Sequence, residues 1–486
     1  MAARARLVAP QPVREDWPWH QLRATSLRAS DLWNGDRRFE AETYLASGHG
    51  IRLAFKTQSD GWAPLSTLAR SWMPNRLKGI IVSPKFGRPY LSATQMLDLR
   101  PSHRKFISLK AGGFEELSAV GGTILVTRSG SVGRSTIAHR LHEGAALSDD
   151  LIRVVPHDPA AHGWIYAYLR TPSARQMMTS VHYGHMIKHL EPAHLSALPI
   201  PIVDAETLVR FNSKVQTMLE MRNRSYERLL QAESLFEEAT GGRITSYQGR
   251  GTPGFQVRSS DLFKGRRRFE ANFHNPGIRS ILNRFQKVGL HVDPLSRLAE
   301  RVWWGARFRR VFGDGGLPYY SADALWTLNP PPEKHILVDH EEAADAARYM
   351  VKPGWLIMAC SGQVYGLNGS VDLVTDKLAR SFLSHDIIRI SPVKDVRPGY
   401  LLVALGHPQL GRPLVIRNAY GSSIPHLDPD DVAATPVVRI KPSLEGEIAD
   451  AGEESVWLRQ SADALENSFT SEAESLTERF LARMAG

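Results

Sequence analysis

The hydrophobic pattern of this chain predicts short strands and short helices, interrupted twice by a long helix. Gly122-Thr-Ile-Leu-Val-Thr127 and Leu151-Ile-Arg-Val-Val155 are apolar, β-branched runs bounded by Gly, Ser and Asp, which is the pattern of strands. Gly354-Trp-Leu-Ile-Met358 and Asp386-Ile-Ile-Arg-Ile390 read the same way. Arg128-Ser-Gly-Ser-Val-Gly133 predicts a turn between the first two runs. Trp164-Ile-Tyr-Ala-Tyr-Leu169 and Tyr400-Leu-Leu-Val-Ala-Leu405 predict short helices that stop before Pro172 and Pro408. Leu198-Pro-Ile-Pro-Ile202 and Thr435-Pro-Val-Val438 predict extended, proline-marked segments.

A long helix is predicted after each extended segment. The first begins near Asp204, whose carboxylate suits an N-cap, and stops at Gly241-Gly242. Leu208, Phe211, Val215, Met218, Leu229 and Phe236 recur along it at spacings of three and four, with Arg222 and Ser225 interrupting. The second carries Leu458, Ala462, Leu465, Phe469, Leu476 and Phe480 on the same kind of stripe. Such seams suit a coiled coil between the two helices, and suit a helix laid on its own module equally well. Their equivalent placement favours mutual pairing. A helix of about 35 residues is roughly 50 Å long.

That equivalent placement is part of an internal repeat. Asp31-Leu-Trp-Asn-Gly-Asp-Arg-Arg-Phe-Glu-Ala41 returns as Asp261-Leu-Phe-Lys-Gly-Arg-Arg-Arg-Phe-Glu-Ala271. Pro64-Leu-Ser-Thr-Leu-Ala69 returns as Pro294-Leu-Ser-Arg-Leu-Ala299, and Gly87-Arg-Pro-Tyr-Leu-Ser-Ala93 as Gly316-Leu-Pro-Tyr-Tyr-Ser-Ala322. Further along, Ser129-Gly130 answers Ser361-Gly362, Ser148-Asp-Asp-Leu-Ile-Arg153 answers Ser384-His-Asp-Ile-Ile-Arg389, and His189-Leu190 answers His426-Leu427. The order never breaks, as expected of one module written twice. The boundaries that follow are an arm over 1–20, a first module over 21–202, a long helix over 203–242, a second module over 243–440 and a final helix over 441–486.

Composition narrows the class. The chain has 486 residues, 42% hydrophobic and 23% charged, enough for two or three domains with their own cores. No apolar run approaches the length of a membrane span, and residues 1–18 lack the apolar stretch of a secretory signal. Cys360 is the only cysteine, so an intramolecular disulfide and a multi-cysteine zinc site are excluded, and a cytoplasmic location is expected. The formal charge of +10 favours an anionic partner. Residues 443–486 are acidic, so the positive charge lies upstream in the modules.

Together these motifs resemble one family. Gly122 to Gly133, Ser148 to Arg153, Tyr183 to Leu190 and Leu198 to Ile202, followed by a long helix, are similar to the specificity subunit of type I restriction–modification systems. The departures are Val203-Asp-Ala-Glu-Thr-Leu208, where a Pro-Pro-Leu-x-Glu-Gln-like start is usual, and Cys360 in the place of Arg128. The resemblance implies an α+β protein with two target-recognition domains, joined by two antiparallel coiled-coil helices about a pseudo-twofold axis. It implies double-stranded DNA as a partner, each domain reading one half of a bipartite site. It also implies two DNA adenine methyltransferase subunits docked on the helices and allows for a restriction or translocase subunit. S-adenosylmethionine would belong to the methyltransferase, leaving this chain without a cofactor or catalytic residues.

Candidate DNA contacts follow from charge. Arg307, Arg309 and Arg310 sit in a basic, aromatic stretch, Arg301-Val-Trp-Trp-Gly-Ala-Arg-Phe-Arg-Arg310. Lys85 and Arg88, with Arg76 and Lys78, occupy the matching part of the first copy, and Arg100, Arg104 and Lys105 come a little further on. Arg128 and Arg134 flank the Gly-bearing turn as either a phosphate cradle or a hairpin, and Lys188 is a phosphate candidate. Leu208, Phe211, Val215, Met218, Leu465, Phe469, Leu476 and Phe480 are the candidate partner-binding positions. Asn329-Pro-Pro-Pro332 lacks the aromatic residue of an adenine-gripping loop, Asp339-His-Glu-Glu342 reads as an acidic turn, and no phosphate-binding loop or metal set is present. A nuclease with an unfamiliar site and a protein-binding decoy on the same scaffold remain as alternatives.

Overall fold

The computed structural model describes residues 27, 29, 33, 41–76, 80–108, 110, 114–180, 189–242, 254–263, 267–305, 307, 309–331, 334–337 and 349–482. They fall into two compact units of mixed α/β structure. The first unit draws on Met1–Met96, Lys105–Leu219 and Ala464–Gly486, the second on Leu97–Arg104 and Glu220–Asp463.

In the first unit the strands are β1 (Trp62–Pro64), β2 (Ala69–Trp72), β3 (Gly87–Leu91), β4 (Lys105–Ser108), β5 (Ile124–Thr127), β6 (Ser135–Ile137), β7 (Ala146–Leu147), β8 (Leu151–Pro156) and β9 (Pro199–Pro201). They form a β1-β9 pair, an antiparallel β2-β8-β5-β6 sheet and a β4-β3-β7 sheet, in which β3 runs antiparallel to β4 and parallel to β7. Every residue of β5 is buried, which is why it reads as an unbroken apolar run rather than an alternating one. The predicted turn over 128–133 joins β5 to β6 as a hairpin. The longer helices of the unit are α1 (Ser47–Thr57), α2 (His162–Arg170) and α3 (Pro172–Ser180), together with the first part of α4 (Ala205–Ala239). Pro172 follows the end of α2, as the sequence predicts, and also begins α3, because the first turn of a helix needs no N–H from it.

In the second unit the strands are β10 (His291–Pro294), β11 (Ala299–Trp303), β12 (Phe312–Tyr320), β13 (Lys334–Ile336), β14 (Leu356–Ala359), β15 (Val371–Leu373), β16 (Phe382–Leu383), β17 (Ile387–Pro392) and β18 (Pro436–Arg439). Their orders are β10-β18, β11-β17-β14-β15 and β13-β12-β16. Among the described residues, these orders match those of the first unit strand for strand. Helices α5 (Pro276–Lys287), α6 (Pro398–Gly406) and α7 (Arg412–Ile416) pack with the rest of α4 and the first part of α8 (Pro442–Ala482).

The long helices run antiparallel where each unit holds them. In the first unit Arg210 Nε lies 3.0 Å from Glu472 Oε1, and Lys214 pairs with the same carboxylate. In the second, Arg222 meets Asp463 at 3.5 Å and Arg228 meets Glu454 at 2.7 Å. Ser225 and Ser455 each donate a hydroxyl to the other's carbonyl at 2.7 Å. Arg222 and Ser225, which interrupt the apolar stripe, are therefore buried polar rungs between the helices. Phe211, Val215, Met218, Phe469 and Phe480 are buried, while Leu208, Leu465 and Leu476 are half-buried. Phe211 meets Trp164 with ring centroids 5.2 Å apart, and Phe480 stacks on Phe55 at 5.5 Å. These side chains are spent on the chain's own packing, so a docking surface for another subunit would have to use the exposed positions between them.

Two glycines explain how closely the short helices approach the long ones. A Cβ on Gly163 would stand 2.4 Å from the Asn212 backbone of α4, and one on Gly399 would stand 2.3 Å from the Ala449 carbonyl of α8. The next residue pins each helix to the strand before a long helix. Trp164 Nε1 donates to the Pro201 carbonyl at 3.0 Å, and the Tyr400 hydroxyl donates to the Val438 carbonyl. Gly163→Ala and Gly399→Ala are each expected to destabilise their unit by about 1–3 kcal/mol, the cost of overpacking a tight contact. Gly50→Ala is the control, since Gly50 lies in α1 with open space around it and should gain helix propensity. Urea midpoints for the three variants check this; equal midpoints would remove the close-approach argument.

A buried histidine gives the second unit a pH dependence. His407 Nδ1 accepts from the Gln409 and Leu410 amides at 3.3 and 3.2 Å, fixing the turn that follows α6. Burial, with the Arg100 and Arg284 charges, pushes its pKa down to about 3, despite Glu237 Oε1 at 3.3 Å from Nε2. The unfolded chain takes up a proton near the ordinary imidazole value of 6.5. Stability from this group is therefore complete above about 6.5 and is lost as pH falls from there towards 3. Asp98, lifted to about 7 by burial, works in the opposite direction in the same unit. The difference between wild type and His407→Gln isolates the histidine: the variant should be destabilised at pH 8 and should lose less between pH 7 and 5.

Candidate nucleic-acid interface

Each unit carries a β ribbon built on the same glycine. Gly87 and Gly316 are equivalent in the repeat, and a Cβ there would meet the Ile107 carbonyl at 2.6 Å or the Ile336 carbonyl at 2.3 Å. The missing side chain lets the strand press against β4 or β13. In the first unit a further edge segment lies on the other side of β4. Ile81 is bridged to Ile107, the Val82 amide donates to Phe106 at 2.9 Å, and the Ser108 amide donates to Ile80 at 3.0 Å. In the second unit β12 folds back, so that β13 lies between Phe312 and the Leu317–Tyr319 stretch, and the Leu337 amide donates to the Val311 carbonyl at 2.8 Å. Lys105 stands opposite Tyr90, and Lys334 stands opposite Tyr319, at the same register.

The ribbons gather many of the basic candidates. In the first unit Lys85, Arg88 and Lys105 are exposed, and the Lys85 ammonium lies 4.6 Å from the Phe86 ring. In the second, Arg307, Arg309 and Arg310 are exposed beside the ribbon, with Lys334 lying 4.8 Å over Phe312. Arg310 donates to the Tyr319 hydroxyl at 2.7 Å, so its guanidinium is oriented. Burial first, then the Arg310 and Arg307 charges, hold His385 below the ordinary imidazole range against the pull of Asp386. Those arginines therefore act on the 384–386 loop. Arg104 is exposed in the second unit, 4.6 Å over the Tyr365 ring, with its Nε bonded to Ser102 at 3.1 Å. A second recurrence is an arginine over a tryptophan on an edge strand: Arg70 over Trp72 at 4.8 Å and Arg301 over Trp303 at 4.7 Å.

Other candidates are built into the scaffold. Arg128 contacts Asp150 at 3.1 Å and Glu191 at 2.6 Å. Burial works against its charge, but the Glu191 and Asp150 carboxylates prevail and raise its pKa above the ordinary guanidinium value. With two carboxylates on it, Arg128 serves the hairpin side of the sequence reading. Arg134 is half-buried in the same hairpin. Lys188, Lys78, Tyr183-Gly184 and Asp339-His-Glu-Glu342 lie outside the described residues. In the second copy of the Arg-Arg-Phe-Glu motif, Arg268 is buried, bonding Asp431 at 3.0 Å and the Asn418 carbonyl at 2.8 Å. Asn329 is also buried, with its amide oxygen taking the Lys377 ammonium at 3.2 Å, so it is committed within the unit.

Sequence reasoning passed over the arginine that closes the Ser-x-Asp-x-Ile-Arg motif. Arg153 is buried and donates to the carbonyls of Ser148, Leu151 and Leu147 at 3.1, 2.8 and 3.2 Å. Arg389 does the same in the second copy, reaching Ser384, Ile387, Leu383 and Tyr349 at 2.6–3.1 Å. Burial pulls each guanidinium down to about 10, so both stay charged at neutral pH. The clamp fixes the loop that supplies Asp150 or Asp386. The repeat was the available signal, because both arginines interrupt the same apolar strand run at the same place.

One cluster has the residue types of a hydrolase. Ser361 Oγ donates to Asp386 Oδ1 at 2.9 Å and lies 2.8 Å from His426 Nδ1. The serine stands between the other two and gives its proton to the carboxylate. A catalytic relay needs the imidazole between serine and carboxylate. This cluster instead ties the 361–362 turn to the 384–386 loop and to His426. Burial raises the neighbouring Cys360 thiol to about 12, which removes its nucleophilic form. Among the described residues no set of side chains could hold a metal ion, and no helix is long and apolar enough to cross a membrane.

No family model and no curated protein matches the chain. Solved structures do. The type I restriction–modification S subunit from M. genitalium is 14% identical, with 87% of this chain and 96% of that one covered at a TM-score of 0.33. The HsdS subunit from Thermoanaerobacter tengcongensis is 13% identical, with 87% and 96% covered at a TM-score of 0.26. A chain from a type I restriction–modification assembly is 13% identical, with 86% and 95% covered at a TM-score of 0.27.

Proposed function

We propose that this chain is the DNA-recognition subunit of a type I-like restriction–modification or methylation-linked defence complex. The observation that carries the reading is the recurrence of one basic ribbon at the same register in two matching sheet arrangements. Two such ribbons in one chain suit two half-sites, and because their side chains differ, the half-sites can differ. The lysines and arginines supply affinity through phosphates, while base edges supply sequence. The two long helices each run from one unit into the other. They also present the docking surface for two adenine methyltransferase subunits, which carry S-adenosylmethionine and perform the chemistry. A restriction or translocase subunit joins the same assembly.

Methylome sequencing with and without the gene tests this. Loss of a bipartite adenine-methylation motif on deletion is the expected result. DNA cleavage by the purified chain alone, abolished by one carboxylate substitution, would replace the reading with a nuclease. The absence of any salt-dependent DNA binding would favour a decoy. Docking has its own test. Trp457, on the second unit's part of α8, is exposed, as are Val209 and Leu230 on α4. A large exposed aromatic is a strong anchor for a partner. Trp457→Ala is expected to weaken co-purification of the methyltransferase at least tenfold, with an unchanged melting temperature. Equal recovery would move the docking surface elsewhere.

A further inference from the structure

The outer edge of each ribbon ends in two consecutive apolar residues that the fold leaves in solvent. Ile80 and Ile81 are both 64% exposed, and Val311 and Phe312 are 49% and 38% exposed. They are equivalent by hydrogen bonding: Ile80 and Val311 accept from Ser108 and Leu337, and Ile81 and Phe312 oppose Ile107 and Ile336. Neighbouring residues on a strand point to opposite faces, so each edge is apolar on both sides. An exposed apolar edge strand is ordinarily avoided, because it invites pairing with other chains. Here it recurs at the same place in both units, each time with a lysine one strand away, Lys105 or Lys334. The first ribbon's stretches, 80–91 and 105–108, contain no acidic residue, and the second's, 309–320 and 334–337, contain only Asp314. That charge balance suits a polyanion better than another protein.

We propose that these edge pairs read thymine in the major groove. The inference rests on the DNA-recognition reading above. A β ribbon fits that groove, and there the thymine C5 methyl is the apolar group on a base edge. An exposed isoleucine or phenylalanine gains nothing from a phosphate, but it gains by covering a methyl group. The recurring lysines are the sequence-independent part of each ribbon, and the non-recurring pairs, Ile-Ile and Val-Phe, are the sequence-dependent part. Two half-sites with different thymine placement follow from one scaffold.

The test uses the full chain in complex with its methyltransferase. A bound duplex is selected from a random-sequence pool and then synthesised twice, with thymine and with uracil, which differ only in the methyl group. Affinity is expected to fall about three- to fivefold for each critical thymine replaced. Ile80→Ala with Ile81→Ala should abolish that loss in one half-site, and Val311→Ala with Phe312→Ala should abolish it in the other. All four positions are exposed, and thermal melts confirm that the variants fold. Equal binding of thymine and uracil duplexes overturns the inference while leaving the DNA-recognition reading intact. A uracil penalty that persists in both ribbon variants, or selected half-sites without an A·T pair, overturns it too. If no duplex is selected and binding lacks salt dependence, the recognition reading itself fails.

Discussion

Arg389→Leu is expected to destabilise the second unit by about 3 kcal/mol or more, read as a lower urea midpoint with an unchanged slope. The side chain is fully buried and donates to four carbonyls, those of Ser384, Ile387, Leu383 and Tyr349. An unsatisfied buried polar group costs about 1–3 kcal/mol. Four orphaned acceptors outweigh the relief from no longer burying a charge, because all of β14 and the Ile387, Ile388 and Ile390 neighbours in β17 are apolar. Arg389→Lys should recover only part of the loss, since an ammonium is a point donor and cannot span the four acceptors. Arg153→Leu should cost the first unit less, because three carbonyls depend on it. Equal stability of Arg389→Leu and wild type would mean that the loop holds itself.

The comparison of Arg128 with Arg153 shows where sequence reading succeeds and where it stops. Strands β5 and β14 were legible because burial on both faces produces an unbroken apolar run, and the two long helices because their stripes run for many turns. The repeat was legible because order and offset are one-dimensional quantities. Arg128 stood out as a basic residue beside a glycine turn, but its partners Asp150 and Glu191 lie 22 and 63 residues away. No local spacing connects them. Arg153 interrupts a strand run and gives no sign that its side chain turns inward on backbone carbonyls. The edge residues Ile80, Ile81, Val311 and Phe312 look like ordinary core positions in sequence. Only the pairing of the ribbon puts them outside. Helix α3 escaped notice because a proline stops one helix and starts the next by the same missing N–H.

The ribbon cations make the largest prediction about binding. Replacing Arg307, Arg309 and Arg310 by alanine should lower the slope of log affinity against log salt by about 2.7, at about 0.9 for each phosphate no longer neutralised. Between 50 and 200 mM salt, wild type should then lose roughly 40-fold more affinity than the triple variant, the fourfold salt change raised to that power. Lys105→Ala and Lys334→Ala should each lower the slope by about 0.9, nearly uniformly across DNA sequences, because phosphates carry no sequence information. Arg128→Ala provides the contrast. Its charge is already matched by Asp150 and Glu191, so it should lower stability and leave the salt slope intact. Arg310 sharpens the comparison within the cluster: its bond to the Tyr319 hydroxyl holds it in place, so Tyr319→Phe should weaken binding modestly while keeping the slope. Anisotropy titrations over that salt range separate the outcomes. A triple variant with the wild-type slope would take phosphate binding away from this ribbon and leave the Arg70–Trp72 and Arg301–Trp303 edges as the place to look for it.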